Sequence, residues 1–182
     1  TGRSKKLGRF VRSNLGGSMQ GGGARAEKDG VNASNIAGST NTAIPNIESL
    51  EEKLPILFLS RRLRQDSGGP GRFRGGLAGE FLFKPHGADM LLINAFHIGK
   101  WYPALGFQGG YPGATAAIKV KKAGEERDLP HRSRLFPLGE EEAILAQCHG
   151  GGGYGDPLER EPEWVLRDVR DERFPVEAGA AE

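Results

Sequence analysis

The sequence predicts an α+β fold, mainly β, in which short strands are joined by glycine-rich loops and a helix closes the chain. Three observations carry that expectation. Short apolar runs recur at 54–59, 77–83, 90–96, 116–120 and 143–148, the length and composition of buried strands. Glycine clusters separate them: 29 of the 182 residues are glycine, more than double the usual share of about 7%. Finally, Leu158, Trp164, Val165 and Val169 recur at helical spacing near the C-terminus.

Taken in order, residues 1–13 are basic, and Leu7, Phe10 and Val11 fall on one face of a short amphipathic helix. Residues 14–24 form a glycine-rich run, which Asp29-Gly30 and the turn formers of 32–46 continue. A stretch of that length without regular structure is expected to line a site or to be held by another chain. Ile47 to Lys53 form a helix, with Asn46 as N-cap, Glu48 in the first turn and Pro55 as terminator. Residues 56–59 are a strand, followed by Arg61-Arg62-Leu63-Arg64. The strands at 77–84 and 90–96 flank Pro85-His86-Gly87-Ala88-Asp89 and read as a hairpin. Residues 100–113, with Trp101, Tyr102 and glycines at 106, 109, 110 and 113, form a second shaped loop. A strand at 116–120 turns at Gly124 and pairs back through 127–129, and 135–138 and 143–148 complete the β part. Asp156-Pro157 reads as an N-cap followed by proline at the first helical position, and Phe174-Pro175 ends the last helix. The chain divides into a glycine-rich segment at 1–46 that lines a site or a partner, a β-rich core at 47–156 and a helical tail at 157–182.

A formal net charge of +2 is too small to imply a polyanionic partner. The distribution is less even. Residues 1–25 carry six basic groups and no acid, whereas nine acids face four arginines between Asp156 and Glu182. The basic arm suits solvated charge beside a partner's acidic surface, with a nucleic-acid arm as the competing reading. Cys148 is the single cysteine, so no internal disulfide forms and a cytoplasmic setting is expected. No apolar run reaches the ~18 residues of a membrane span.

The loop Asp66-Ser67-Gly68-Gly69-Pro70-Gly71-Arg72-Phe73-Arg74-Gly75-Gly76 is the candidate site. Its five glycines allow backbone angles closed to other residues, and its N–H groups with the guanidinium groups of Arg72 and Arg74 suit an anion or a partner subunit. Asp66 and Ser67 read as an Asx turn, and Ser67 has no histidine near it in sequence to activate it. Gly21, Gly22 and Gly23 lack the Lys-Ser/Thr of a phosphate loop. Gly150, Gly151, Gly152, Gly153 and Gly155 satisfy a dinucleotide-type glycine pattern, but the chain ends before a second parallel strand, which excludes that fold. His86, His97, His131 and His149 lack metal-site spacing, so no metal site is expected. No catalytic residue is identifiable.

Three segments, in order, resemble the hydantoinase B/oxoprolinase family. They are Gly21-Gly22-Gly23-Ala24 with Asp29-Gly30 and Asn41-Thr42; the loop from Asp66 through Ser67, Gly68, Gly69 and Gly71 to Gly76; and Gly150-Gly151-Gly152-Gly153-Tyr154-Gly155-Asp156-Pro157. Ala43 stands where the family usually carries proline. The resemblance implies the C-terminal part of a B-type subunit that works with an A-type, ATP-binding subunit. Together they would open cyclic amides or, as in acetone and acetophenone carboxylases, activate a ketone and bicarbonate. It implies no cofactor on this segment, with ATP on the partner and a divalent metal elsewhere in the complex. Implied partners are the A-type subunit, the N-terminal part of the B-type subunit and a small cyclic amide or ketone, without nucleic acid or membrane. The chain is then a fragment or a split subunit, inactive alone, and Arg72 and Arg74 contact an anion or a neighbouring subunit. The alternative is a non-enzymatic anion- or nucleic-acid-binding module using the basic N-terminus and Arg61 through Arg74.

Overall fold

The structure, a computed structural model, describes residues 1–12, 19–34, 44–96, 98–130 and 132–176. Asn46 begins helix α1 (Ile47–Lys53) as its side chain predicts: Oδ1 accepts from the N–H groups of Glu48 at 2.8 Å and Ser49 at 3.4 Å, satisfying two donors that have no partner within the helix. Only Leu50 of this helix is buried. The chain then enters two antiparallel sheets. One runs β3-β4-β9-β6-β7, with β3 (Ile56–Leu63), β4 (Gly79–Pro85), β6 (Ala117–Lys122), β7 (Glu125–Asp128) and β9 (Ala143–Gln147). The other runs β2-β1-β5-β8, with β1 (Gly2–Arg3), β2 (Phe10–Val11), β5 (Met90–Phe96) and β8 (Arg132–Gly139).

The mainly β, α+β architecture stands, with two corrections. Residues 1–12 form the β1–β2 hairpin in place of an amphipathic helix: Gly2 pairs with Val11 and Arg3 with Phe10, while Phe10 stays exposed. The hairpin expected between β4 and β5 does not form either. Both edges of β4 are already taken, by β3 on one side and β9 on the other. After Gly87, at φ +74°, the chain therefore crosses to the second sheet, where β5 pairs with β1 and β8.

The two sheets share one apolar core. Ile56, Phe81, Phe83, Val120, Ile144 and Ala146 from the first meet Leu91 and Leu138 from the second, with Leu129 and Met19 beside them. The hairpin β6–β7 turns at Ala123 and Gly124, both at positive φ (50° and 87°), the geometry that matches strand twist in a two-residue turn. Helix α2 (Pro162–Arg170) follows a 3₁₀ turn at Pro157–Glu159. Asp156 does cap that turn, accepting from the Leu158 N–H at 3.0 Å, with Pro157 at its first position, but the longer helix starts only at Pro162.

Candidate functional site

The glycine-rich loops are not separate. Residues 149–155 run as a central thread, and segments 19–30, 67–76 and 104–114 lie against it, backbone to backbone. Gly151 shows the pattern: its N–H donates to Gly76 O at 3.0 Å and its carbonyl accepts from Gly69 N at 2.8 Å. Around it, Ala24 donates to Gly152 O, Gly153 donates to Tyr111 O, and Phe73 and Tyr154 exchange a reciprocal pair at 2.9 Å. No side chain fits between threads so close. A Cβ at Gly151 would sit 1.9 Å from Gly22 O, one at Gly75 2.0 Å from Gly151 O, and one at Gly153 2.0 Å from Pro70 O. These glycines serve close approach, not unusual dihedrals: among the glycines of the thread and its three flanking segments, Gly109 and Gly155 alone have a positive φ. Many of the N–H groups expected to cradle an anion are bonded to carbonyls instead. Those of Gly69, Gly75, Gly76, Gly151, Gly153 and Gly155 each donate to another thread or within their own loop. Within the first segment, residues 19–34 bond to this chain's own loops, with Gly21 N donating to His149 O, Gly30 N to Arg74 O and Ala33 N to Leu77 O.

A buried charge network ties the bundle to α2. Arg160 makes a bidentate pair with Asp29 (2.8 and 2.9 Å) and reaches Asp168 at 2.6 Å. Arg74 Nε lies 3.3 Å from the same Asp168 oxygen, and its Nη1 donates to Gly75 O at 2.6 Å. Arg173 closes the set at 2.7 Å from the other Asp168 oxygen. The side chains of Arg160 and Asp168 are wholly buried and that of Arg74 is 3% exposed. Charges so far from water persist only when paired. Burial pushes the Asp29 carboxyl up, but Arg160 and then Arg74 outweigh it and hold the group below its ordinary value. Burial lowers Arg74, whereas Asp29 and Asp168 overcome burial and raise Arg160. Phe73 and the Arg160 guanidinium both pack on Trp164, at 6.0 and 5.7 Å. Network and stacking together fasten the first and second glycine loops to the C-terminal helix.

A family model described as hydantoinase B/oxoprolinase matches residues 4–157. The chain belongs to the hydantoinase B/oxoprolinase family. It is 32% identical over 155 residues to the B component of a putative D-/L-hydantoinase from a Pseudomonas species, covering 82% of this chain and 25% of the relative. It is 35% identical over 131 residues to the beta chain of the caprolactamase of Pseudomonas jessenii, covering 69% of this chain and 22% of the relative. The solved ATP-dependent caprolactamase of that organism superposes with a TM-score of 0.71 at 26% identity, covering 93% of this chain and 30% of that one. A nucleotide-free acetone carboxylase shares the fold, with a TM-score of 0.79 at 20% identity, over 99% of this chain and 28% of that one. The chain thus spans about a quarter of the length of the relatives it matches.

Within this family member the residues singled out from sequence take unequal positions. Ser67 is fully buried; its hydroxyl donates to Arg64 O at 2.6 Å and accepts from the Ala78 N–H at 2.8 Å, so it pins the loop to the start of β4. Asp66 adopts φ +55°, its N–H donates to Arg173 O, and burial raises its carboxyl. Arg74 turns inward, whereas Arg72 is 55% exposed, near Glu159 at 3.7 Å and over the Phe73 ring. The upstream arginines are engaged too: Arg61 with Pro45 O, Arg62 with Glu80, and Arg64 with Thr115 O. The half-buried Cys148 thiol, pushed up by burial, accepts from the Met19 N–H. Asn41, Thr42, Ala43, His97 and His131 lie outside the described residues. Among the described residues no group of three or more His, Cys, Asp or Glu is placed to hold a metal ion, and no helix is long and apolar enough to cross a membrane. A cleft of about 540 Å³ next to the β1–β2 hairpin, lined by Phe10 and Met90 among others, holds Arg3 and Lys5 of the basic arm but no residue of the glycine loops. Sequence reasoning missed Asp29, Arg160 and Asp168 as a set. The signal in the sequence was Asp168, an acid four residues beyond Trp164 on the inward stripe of α2.

Proposed function

We propose that this chain is the C-terminal segment of the B-type subunit of an ATP-dependent hydantoinase/oxoprolinase-type cyclic amidohydrolase, or of a related ketone carboxylase. The observation that carries the reading is the joining of the second and third family motifs, with the first, in one glycine bundle fixed by buried charge. Such a bundle is a rigid scaffold in which many N–H groups are already bonded to neighbouring carbonyls, which favours a structural role here and nucleotide use on an A-type partner. This segment then supplies a wall of the assembly and its interfaces, with Arg72 as the exposed charge of its central loop. The caprolactamase and acetone carboxylase relatives, both described as ATP-dependent, set the substrate classes to try. The test is ATP hydrolysis by the natural assembly, purified through this chain, against hydantoin, 5-oxoproline, caprolactam, acetone and acetophenone with bicarbonate. Stimulation by one class supports the reading and chooses the branch. Stimulation by none of them contradicts it.

A further inference from the structure

The glycine bundle is covered on one side and bare on another. Threads packed this closely leave no room inside, so every side chain on an outer thread must point outward. On the side of Phe73 those side chains are met by α2, through Trp164 and the Asp29–Arg160–Asp168 network. Among the described residues, nothing covers the 104–114 thread in this way. Its backbone faces inward, with Phe107 N donating to Gly153 O and Tyr111 N donating to Pro70 O, yet Leu105 is 80%, Phe107 65% and Tyr111 59% exposed. Trp101 and Tyr102, just upstream, are as open, at 67% and 86%. Phe107 also packs on Tyr154 of the central thread at 6.0 Å, which makes the surface continuous with the bundle. From Trp101 to Ile118 there is no Asp, Glu, Lys or Arg, in a chain that is 26% charged. Aromatic enrichment and charge depletion together mark the centre of a protein interface, and five large apolar side chains exposed within eleven residues are unusual on a free surface.

We infer that this face, Trp101 to Tyr111, is the seat of the remaining part of the same, longer B-type polypeptide. The inference rests on the reading given under Proposed function. Two observations favour that occupant over a separable protein. The matched relatives and solved structures hold this fold as only 22% to 30% of one chain, so most of the apolar surface that could cover it lies on the same polypeptide. The run from Trp101 to Ile118 carries no charge of its own, with Lys100 over the Trp101 ring at 5.6 Å marking its edge; such a composition suits permanent interfaces, whereas dissociable ones are more polar.

The experiment places p-benzoylphenylalanine at Phe107 in the natural, full-length protein, with Glu125 on β7 as a second, solvent-exposed position. After irradiation of the purified assembly, crosslinked peptides are identified by mass spectrometry. The expected result is a dominant Phe107 adduct with a peptide of the same polypeptide lying outside these 182 residues, at least several-fold above the Glu125 yield. Adducts chiefly with a different polypeptide, or no excess over Glu125, would overturn the inference while leaving the family role intact. A denaturing gel separates the two failures: if the natural polypeptide has no residues beyond these 182, the reading it rests on fails with it.

Discussion

Substituting Gly151 by alanine adds one methyl group at the centre of the bundle, and the structure sets what that methyl must displace. Its Cβ would lie 1.9 Å from Gly22 O, 2.4 Å from Gly22 C and 2.9 Å from Gly23 N, against an ordinary contact of about 3.5 Å. Gly22 has little freedom to retreat. Its carbonyl accepts from Gly76 N and its own N–H donates to Val31 O, both at 2.8 Å. Overpacking costs roughly 1–3 kcal/mol, and disturbing two backbone hydrogen bonds adds about 1 kcal/mol each, so Gly151→Ala should destabilise by about 3–5 kcal/mol. For a chain of this size that lowers the melting temperature by on the order of 10 °C. Gly23→Ala is the internal control, because nothing lies within 4 Å of its added Cβ; it should change stability by less than about 1 kcal/mol. Chemical denaturation followed by tryptophan fluorescence reads both variants. Equal midpoints for Gly151→Ala and Gly23→Ala would refute close backbone packing as the reason for these glycines.

Three further outcomes follow from the charge network and its neighbours. Asp168→Asn keeps the shape but leaves Arg74, Arg160 and Arg173 short of a counter-charge; breaking a buried pair costs about 3–5 kcal/mol, and the part of that loss borne by half-exposed Arg173 should bring the measured value near the lower end. Asp29, depressed in the folded state, contributes stability that is present above the ordinary carboxylate value of about 3.9 and is lost as pH falls through the lower folded value. Protection factors for hydrogen exchange at 157–176, taken against the unfolded-chain rate at each pH, should therefore fall below about pH 4, and equal protection factors at pH 3 and pH 7 would contradict a stabilising role for the Asp29 pairs. Arg72→Ala should leave the melting temperature nearly unchanged, as surface substitutions do within about 0.5 kcal/mol, while lowering assembly or ATP-dependent turnover of the natural complex; unchanged assembly and turnover would remove Arg72 from the interface.

Local chemistry was legible where one residue decides the geometry. Asn46 announces α1, and the glycine at 124 announces the β6–β7 turn. Pairing was harder to read, because it depends on which edges are free. The β4–β5 sequence looks like a hairpin, and only the prior claim of β3 and β9 on β4 forbids it. At the N-terminus, Leu7, Phe10 and Val11 fit a helical face, yet two short pairings, Gly2 with Val11 and Arg3 with Phe10, hold the chain extended. The glycine loops were recognisable as related motifs, but their physical purpose was not. Glycine is compatible with positive φ and with close approach alike, and sequence does not separate the two uses. Arg72 and Arg74, two residues apart, looked equivalent for the same reason. The structure sends Arg74 into the network and Arg72 to the surface, a difference that only the position of α2 reveals.

The central claim, that these 182 residues act within a longer B-type polypeptide alongside an ATP-binding partner, is tested most directly by intact-mass analysis of the natural protein purified through this chain under non-denaturing conditions. The account predicts a polypeptide several times longer than 182 residues, recovered in fixed proportion with a second, ATP-binding protein. A monomer of this length, recovered with no partner, would contradict it.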